Sequence, residues 1–564
     1  MRESREQTLT HRDIEIPDRD HTNGPQRIPV ASFRLEDLRG EVTFLENGQF
    51  IVHQGQNGHI TATRNRCRHN LGKFQRSEGC VLTCPNHGWQ IDVSTMEYVN
   101  PVGIAQDQLT VDIADDGTVI LFEALPARPW ELDPVSVMDL EESELTVRFY
   151  SHACAEINCG PDSIFTDPWL VGPAFSRGWW LAHQPPEDWL DRLAAADAIY
   201  ISHNHSDHLS INTLRMLAAR NPQAPIFVPA FDTDSCARLV RSAGLENVTI
   251  APFGVWVTLG EHARFMLLLD EAGRDDSAIL VEYKGHRILD LVDCTLNLNH
   301  GELPRPVDVL LSPFAGGASG YPVCWPDQYS QEQIERVVAS RRLELLQYCL
   351  DVSTKTNARV VVPFAGYFKE AHPADYEIMQ LNVKNSPENV RDFLQRKSPD
   401  IDTWIPQAGD VFDVGIQSPV GVHNTPTHAP QYNFDDFLTK ILDDLDFRPL
   451  ESLDGVKAYF EWAGYKSDLV LHVIETDEDF AKVYREFYLD FSNSSFLEDR
   501  PKKPHRYLRM RVRADVFRHV LRWGMPWEEI SIGFQARFYR EPDAYNFDFW
   551  NHFQHNLPST PPVW

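Results

Sequence analysis

The sequence is poor in cysteine and in basic side chains. Nine cysteines occur in 564 residues, a sparse and odd number, which fits a reducing cytoplasm where thiols bind metals or are buried. Lysine and arginine number 52 against 82 acidic residues, so the formal net charge is -30. This charge argues against binding of nucleic acids in general. We therefore expect a cytoplasmic protein without a nucleic-acid partner, in which an anionic substrate would need a local cationic pocket.

Long apolar runs are also lacking. No stretch of about eighteen apolar residues occurs, so we expect no membrane span. Residues 1–26 are polar and have no apolar core of the signal-peptide type. The apolar fraction of 42% and the charged fraction of 24% are those of an ordinary globular protein. A chain of this length is expected to hold roughly two to four domains.

Changes in residue pattern divide the chain into five predicted segments. The first is charged and poor in large apolar residues, which is typical of disorder. The second has short strand patterns between Gly and Asn turns, as in a small β-domain. A proline-rich, extended linker then precedes alternating strand and helix patterns. We predict a disordered lead-in at 1–27, a β-domain at 28–125, a linker at 126–143, an α/β domain at 144–425 and a small α+β domain at 426–564.

Two Cys–His pairs lie in the predicted β-domain. Cys67 and His69 form a C-x-H pair, and Cys84 and His87 form a C-x-x-H pair after fourteen intervening residues. In a Rieske [2Fe–2S] centre two cysteines hold one iron and two histidines hold the other. The same residue types could form a structural Cys₂His₂ zinc site. The ligand order and spacing favour the Rieske cluster, which is a one-electron relay.

A second group of metal-ligand residues follows the apolar run at 199–201. Three histidines and an aspartate fall within six residues, in the pattern H-x-H-x-D-H. Imidazole suits zinc, copper, iron or nickel, and carboxylate adds charge and an oxygen ligand. The alternative is a His-rich surface loop, but ligand-type residues at this spacing directly after a strand favour a metal site. The four residues are His203, His205, Asp207 and His208.

This motif resembles that of the metallo-β-lactamase superfamily. The resemblance implies an αββα sandwich with metals at the sheet edge, so the expected fold class is a multidomain α/β and β protein. It implies that Asp293, at a strand end, is a bridging carboxylate, and that His152 and Asp167 lie close to the metals. His152 could equally be a satisfied core histidine. Hydrolases and oxidoreductases share this fold, so the motif alone does not name a reaction.

The chain departs from the superfamily pattern at two positions. Asp270 stands where the superfamily usually has a third histidine, which makes it a further candidate ligand. Ala365 stands at a strand end where the last histidine ligand is usual, and His372 is nearby but displaced. The loss of a conventional ligand weakens the two-zinc hydrolase and favours a modified, oxygen-richer site.

The pairing of a Rieske module with a metallo-β-lactamase-like module resembles the CMP-N-acetylneuraminate hydroxylase family. Members of this family convert the N-acetyl group of the sugar nucleotide to N-glycolyl. The resemblance extends from about residue 30 to the end, so it includes the C-terminal α+β domain. The segments that carry it are 167–181, 200–210, 281–286, 314–320, 363–368, 460–464 and 550–553.

The resemblance implies an iron-dependent monooxygenase that hydroxylates the N-acetyl group of CMP-N-acetylneuraminic acid. Electrons would pass through the Rieske cluster to one or two non-haem irons, with dioxygen as co-substrate. An external electron-donor protein, fed by NAD(P)H, is also implied. The residues expected to build the catalytic iron site are His203, His205, Asp207, His208 and Asp293.

Three alternatives remain open from the sequence. One is a Rieske-linked oxygenase that acts on another substrate. Another is a zinc hydrolase with a redox-sensing Rieske domain, and the last is an electron-transfer protein whose second metal is structural. An anionic substrate would in any case need cations, because phosphate and carboxylate form charge-assisted hydrogen bonds. The candidate cations are Arg177, Lys284 and Arg287.

The predicted cluster can be tested through its redox potential. The purified protein should be brown and contain about two irons and two sulfides per cluster. Replacing His87→Cys should lower the reduction potential, because a thiolate adds negative charge to the cluster. The measurement is a redox titration followed by visible absorption. A colourless wild-type protein with zinc in the β-domain would contradict the prediction.

Overall fold

The computed structural model describes most of the chain, with gaps. Within the described ranges, no helix combines the length and the apolar character needed to cross a bilayer. Most of the predicted lead-in, much of the predicted linker, His69 and His87 lie outside these ranges. The described residues are 26–38, 40–45, 48–68, 72–85, 88–100, 104–125, 132, 136–272, 274–298, 303–370, 372–420, 453–497, 499–501, 506–555 and 557.

The N-terminal part is built from three small antiparallel sheets. In the central strand Phe50–Gln54, successive side chains point to opposite faces. Ile51 packs into a core with Cys67 and Cys84, whereas Phe50 packs into a separate core. In spatial order the sheets are Gln26–Arg34, Thr118–Leu125 and Thr110–Ile113; Val42–Leu45, Phe50–Gln54 and Ile60–Arg64; and Gln75–Glu78, Val81–Thr83, Gln90–Asp92 and Glu97–Tyr98.

The central part contains two large mixed sheets packed face to face. The first sheet has eight strands and the second has seven. In order, the first is Val248–Ala251, Ile226–Pro229, Ala198–Tyr200, Asp162–Thr166, Cys154–Cys159, Leu145–Ser151, Val411–Asp413 and Ser418–Val420; the second is Trp256–Thr258, Ala263–Leu269, Ser277–Tyr283, His286–Asp290, Val307–Pro313, Ala358–Phe364 and Asp402–Thr403.

Alternation along the strands separates two apolar layers. Phe149 faces the core between the sheets, and its neighbour Tyr150 faces the opposite side. In the same way, Tyr200 lies between the sheets while Ile199 packs toward helices on the outer face. The predicted αββα sandwich is therefore confirmed.

Helices cover both outer faces of the sandwich. The longest, Gln331–Thr356, begins with a capping box in which the Ser330 side chain accepts from the Gln333 backbone N–H. It ends at Asn357, whose φ of 49° is the left-handed conformation common at helix C-termini. The other described helices of this part are Trp189–Ala194, Ile211–Arg220, Ser235–Ser242, Tyr376–Leu381 and Pro387–Lys397, with a short 3₁₀ turn at Pro373–Asp375. Another 3₁₀ turn, Leu35–Asp37, lies in the N-terminal part. A two-stranded ribbon joins Trp179–Leu181 to Phe368–Glu370.

The described residues of the C-terminal part form a five-stranded sheet and four helices. The central strands Leu469–Thr476 and Arg506–Arg513 run parallel, and the other neighbours are antiparallel. In order, the strands are Ser495–Leu497, Val483–Asp490, Leu469–Thr476, Arg506–Arg513 and Ala536–Glu541; the helices are Leu453–Ala463, Ala514–Trp523, Glu528–Ser531 and Phe547–His555.

This part lies directly against the sandwich at a pair of glycines. A Cβ added to Gly178 would lie 2.2 Å from the Gly533 carbonyl oxygen. The backbones of the two parts therefore approach too closely for any side chain. Beside this contact, Trp179 donates from its indole Nε1 to the Ile532 carbonyl at 3.1 Å.

The glycine contact predicts a stability effect. Gly178→Ala should destabilise the protein by at least about 2 kcal/mol, because backbone must move to admit the methyl group. Gly55→Ala is the matched control, since the atom nearest to a Cβ there would be the side-chain oxygen of Asn57, at 3.0 Å, and not a backbone atom. Calorimetric melting of both variants should show a lower Tm for Gly178→Ala alone. Equal melting temperatures would contradict the close docking.

Candidate metal centres

Six side chains converge at one edge of the sandwich, where several of its strands end. We call them the histidine–aspartate cluster. Four come from the loop after the strand Ala198–Tyr200, and the others follow the strands Leu145–Ser151 and His286–Asp290. Carboxyl ends of adjacent strands in an α/β sheet commonly form such a site. The cluster consists of His152, His203, His205, Asp207, His208 and Asp293.

Each of the three histidines of the H-x-H-x-D-H motif has one ring nitrogen hydrogen-bonded to a side chain outside the cluster. A hydrogen bond at one ring nitrogen fixes which nitrogen is left to bind a metal. The pairs are His208 Nδ1 with Asp167 Oδ2 at 2.9 Å, His203 Nδ1 with Ser202 Oγ at 2.9 Å, and His205 Nε2 with the Gln554 side-chain amide at 3.2 Å.

The remaining nitrogens point at one another and at carboxylates. His203 Nε2 lies 2.8 Å from His205 Nδ1. His208 Nε2 lies 3.4 Å from Asp207 Oδ2 and 3.6 Å from Asp293 Oδ2. The ligand atoms of His203, His208 and Asp293 lie within 4.8 Å of one another, as do those of His152, Asp207 and His208. Such a set of nitrogen and oxygen donors can hold one or two transition-metal ions.

Three buried atoms in this cluster have no hydrogen-bond partner among the described residues. They are His152 Nδ1, Asp207 Oδ1 and His208 Nε2. A buried polar atom without a partner is costly, and a bound metal ion would satisfy such atoms. The residues present therefore fit a metal centre.

Two members of the cluster, His203 and Asp207, have protonation states that suit cation binding. Burial lowers the pKa of His203 well below its usual value, so its imidazole is neutral and able to bind a metal. Burial alone would raise the pKa of Asp207, but the imidazoles of His208 and His152 outweigh it and hold that pKa well below the usual range. Asp207 is therefore an anionic carboxylate. For His208, burial alone would lower the pKa, but the carboxylates of Asp207 and Asp167 outweigh it and raise that pKa well above its usual value, so a metal ion would have to displace a proton there.

The backbone is strained around the cluster. His152, Asp167, Val292 and Ala365 all have positive φ, at 44°, 34°, 51° and 47°. This conformation is disfavoured for side chains with a Cβ, most strongly for a β-branched residue such as Val292. Strained residues persist where the surrounding structure holds them, commonly at functional sites. Here each one lies at a strand end that carries or adjoins a candidate ligand.

Two further predicted ligands, Asp167 and Asp270, are hydrogen-bonded to side chains and backbone around the histidine–aspartate cluster. Asp167 touches the cluster through His208 Nδ1 and also accepts from the Ser202 backbone N–H at 2.7 Å. Asp270 accepts from Arg274 at 2.8 Å and from the Thr295 backbone N–H at 2.8 Å. Asp270 therefore fixes Arg274 beside the cluster. Ala365 lines the cavity described below with no imidazole at this strand end.

The three cations predicted for substrate binding are paired elsewhere. Arg177 is fully buried and bonds to Asp515 at 2.5 Å. Lys284 is paired with Glu144, and Arg287 bonds to Glu282 at 2.9 Å. Among the described residues, none of the three lines the cavity at the cluster.

The two predicted cluster cysteines of the N-terminal part are buried side by side in one core. Cys67 and Cys84 are 0% and 1% exposed. The hydroxyl of Tyr98 lies 3.9 Å from Cys67 Sγ, and hydrogen bonds to cluster sulfurs tune the potential. His69 and His87 lie outside the described residues.

A cavity of about 350 Å³ joins the N-terminal part to the histidine–aspartate cluster. Trp89, two residues after His87, lines it together with His203, His205 and Asp293. Its volume is within the range of small-molecule sites, roughly 300–1,000 Å³. The cavity can therefore hold a small ligand in contact with the histidine–aspartate cluster and with Trp89.

The helix Phe547–His555 reaches from Trp89 of the N-terminal part to His205 of the histidine–aspartate cluster. Phe547 packs against Trp89, with ring centroids 5.4 Å apart. Gln554 contacts His205, and seven residues of helix span roughly 10 Å. The C-terminal part thus forms a wall of the cavity and supplies an outer partner to one histidine. Sequence reasoning missed Gln554, because no local pattern links it to a motif almost 350 residues away.

Two known domain families match separate parts of the chain. The Rieske [2Fe-2S] domain family matches residues 29–102, which include the four predicted cluster ligands. The Beta-lactamase superfamily domain family matches residues 146–364, which include the histidine–aspartate cluster.

Three relatives share the name cytidine monophosphate-N-acetylneuraminic acid hydroxylase. The Mus musculus protein is 39% identical, with 95% of this chain and 97% of the relative covered. The Asterias rubens protein is 41% identical, with 89% and 80% covered. The Xenopus laevis protein is 39% identical, with 95% and 94% covered.

The contact between Gln554 and His205 predicts an effect on metal binding. Gln554→Ala should weaken metal binding at the cluster by about 10- to 100-fold, because His205 loses the partner that orients its ring. Asn551→Ala, one helical turn earlier on the same cavity wall, is the matched control. Metal content after dialysis against a graded chelator measures the effect. Equal retention in both variants would contradict the assignment.

Proposed function

The chain belongs to the cytidine monophosphate-N-acetylneuraminic acid hydroxylase family, and from this membership we propose that it hydroxylates the N-acetyl group of CMP-N-acetylneuraminic acid. It is an oxidoreductase with an N-terminal Rieske domain and a metallo-β-lactamase-like fold. The nucleotide-sugar substrate follows from the names of its relatives. The cavity supports this proposal, because one chamber is lined by residues of the histidine–aspartate cluster and by Trp89 of the Rieske domain.

The proposed ligands follow from the geometry and the family match. Cys67, His69, Cys84 and His87 would hold the [2Fe–2S] cluster. For the central iron, one or two ions, the proposed ligands are His203, His205, Asp207, His208 and Asp293, with His152 as a further candidate. The chemistry that these groups supply when bound is activation of dioxygen for insertion of one oxygen atom into a C–H bond, with electrons passed one at a time.

The chain's own residues orient the centre and shield it from water. Asp167 and Ser202 hold the rings of His208 and His203. Phe175, Trp179 and Phe368 line the cavity beside them, and the last two are stacked with ring centroids 3.6 Å apart. An apolar wall next to the cluster excludes water from the reacting carbon.

Electrons must come from outside the chain, since hydroxylation consumes reducing equivalents. We propose an external electron-donor protein fed by NAD(P)H. The cytoplasm is the proposed compartment, in keeping with the sparse and odd number of cysteines.

Product analysis tests the proposed reaction. The purified protein should convert CMP-N-acetylneuraminic acid to the N-glycolyl product only with dioxygen and a reductant. Mass spectrometry with ¹⁸O₂ should show one labelled oxygen atom in the glycolyl group. N-Glycolyl product formed without reductant, or a product without the ¹⁸O label, would contradict the monooxygenase reaction.

Two variants test whether both centres of one chain are needed. Cys84→Ser should remove the cluster and leave the central metal bound, whereas His205→Ala should leave a reducible cluster and form no product. Because Trp89 and His205 line the same cavity in one chain, mixing the two variants should not restore activity. Product formation and cluster absorption are measured in the same samples. Restored activity would mean that one chain's cluster serves the iron of another.

A further inference from the structure

The loop 314–320 lines the cavity and brings backbone to its surface. Gly316 and Gly317 have φ of +69° and +73°, a conformation that favours glycine. A Cβ on Gly317 would come within 2.8 Å of the Asn382 side chain, and one on Gly320 would lie 2.2 Å from the Ser531 carbonyl oxygen. The loop is therefore fixed between the sandwich and the C-terminal part.

Three backbone carbonyl groups of this loop accept hydrogen bonds from two asparagines, Asn382 and Asn385. The Asn385 side chain donates to the Phe314 carbonyl at 3.0 Å, and its backbone N–H donates to Ala315 at 2.7 Å. The Asn382 side chain donates to the Gly317 carbonyl at 3.0 Å. In a trans peptide the N–H points away from the carbonyl of the same unit. The N–H groups that follow these carbonyls therefore point away from both asparagines.

Several backbone N–H groups of the loop have no acceptor among the residues that the structure describes. For residues 316–319, no backbone N–H donates to another residue in the part of the chain that the structure describes. Neighbouring N–H groups exposed at a glycine-rich loop form a typical site for an anion such as phosphate.

A cation lies directly beside the loop. Arg341, on the helix Gln331–Thr356, donates to Ser319 Oγ at 3.1 Å and to the Tyr321 carbonyl. It lines the same cavity. Glu344 lies one turn further along the helix, and its carboxylate accepts from Ser340 at 2.9 Å. A guanidinium next to exposed N–H groups binds phosphate oxygens with charge-assisted hydrogen bonds.

We propose that the loop 314–320 and Arg341 bind the phosphate of the nucleotide-sugar substrate. The proposal rests on the proposed function, because that function brings a sugar phosphate into this cavity. With a phosphate bound at this loop, the sugar and its N-acetyl group would occupy the rest of the cavity, which is lined by the histidine–aspartate cluster. In this proposal the loop 314–320 and Arg341 form the anion site of the substrate, in place of the predicted cations Arg177, Lys284 and Arg287.

Calorimetric titration of the full, metal-loaded chain tests the site. CMP and free N-acetylneuraminic acid are titrated separately, since both are anionic and only the first carries phosphate. Arg341→Gln should raise the Kd for CMP at least tenfold and leave binding of N-acetylneuraminic acid unchanged. Arg336→Gln is the matched control, because Arg336 lies on the same helix with its side chain 72% exposed and paired with Glu332.

Each outcome decides the proposal. Wild-type affinity for CMP in Arg341→Gln, or a loss confined to N-acetylneuraminic acid, would overturn it. If Arg341→Gln loses its cluster absorption or its metal, Ser319→Ala decides instead, and unchanged CMP affinity in that variant overturns the site.

Assays of product formation on the same preparations distinguish a failure of the phosphate site from a failure of the proposed function. Formation of N-glycolyl product by wild type, with CMP affinity independent of Arg341, overturns the phosphate site alone. No product, with CMP affinity dependent on Arg341, overturns the hydroxylase proposal alone.

Discussion

One buried carboxylate holds the central site together. Asp167 is 0% exposed and accepts from Ser202 through both the backbone N–H, at 2.7 Å, and the hydroxyl, at 2.6 Å. The same carboxylate orients His208, and the Ser202 hydroxyl in turn contacts His203. Charge-assisted hydrogen bonds of this kind are the stronger ones in proteins. Two histidines are thus set by a single anion at the end of a strand, and the directions of their free nitrogens follow from it.

The remaining geometry depends on contacts between parts that are distant in sequence. The sandwich supplies the cluster, the C-terminal helix supplies Gln554, and the Rieske domain supplies Trp89. The glycine pair Gly178 and Gly533 brings the C-terminal part close enough for that helix to reach His205. The role of the C-terminal part is therefore visible in the structure as a wall of the cavity.

Local patterns in the sequence predicted the fold class and the family, because both depend on short-range signals. The H-x-H-x-D-H spacing after a strand and the two Cys–His pairs are of this kind. Asp293 was predicted from a strand end, and it lies 3.6 Å from His208. Asp270 shows the limit of such reasoning, since its pairing with Arg274 depends on a loop whose path the sequence does not reveal. Lys284 and Arg287 were chosen for charge, and only the structure shows the acids that pair with them.

The docking of the Rieske domain has a consequence for how electrons can arrive. Tyr321 donates to the Pro85 carbonyl at 3.1 Å, and Trp89 packs between Tyr545 and Phe547. These contacts hold the domain against the rest of the chain beside the cavity, so electron transfer in this arrangement needs no movement of the domain between a donor and an acceptor. A cluster held by this domain would then receive electrons at the outside of the domain and pass them toward the cavity without movement of the domain. A donor protein would then need a landing surface on the outside of the Rieske domain, and its docking would not compete with substrate.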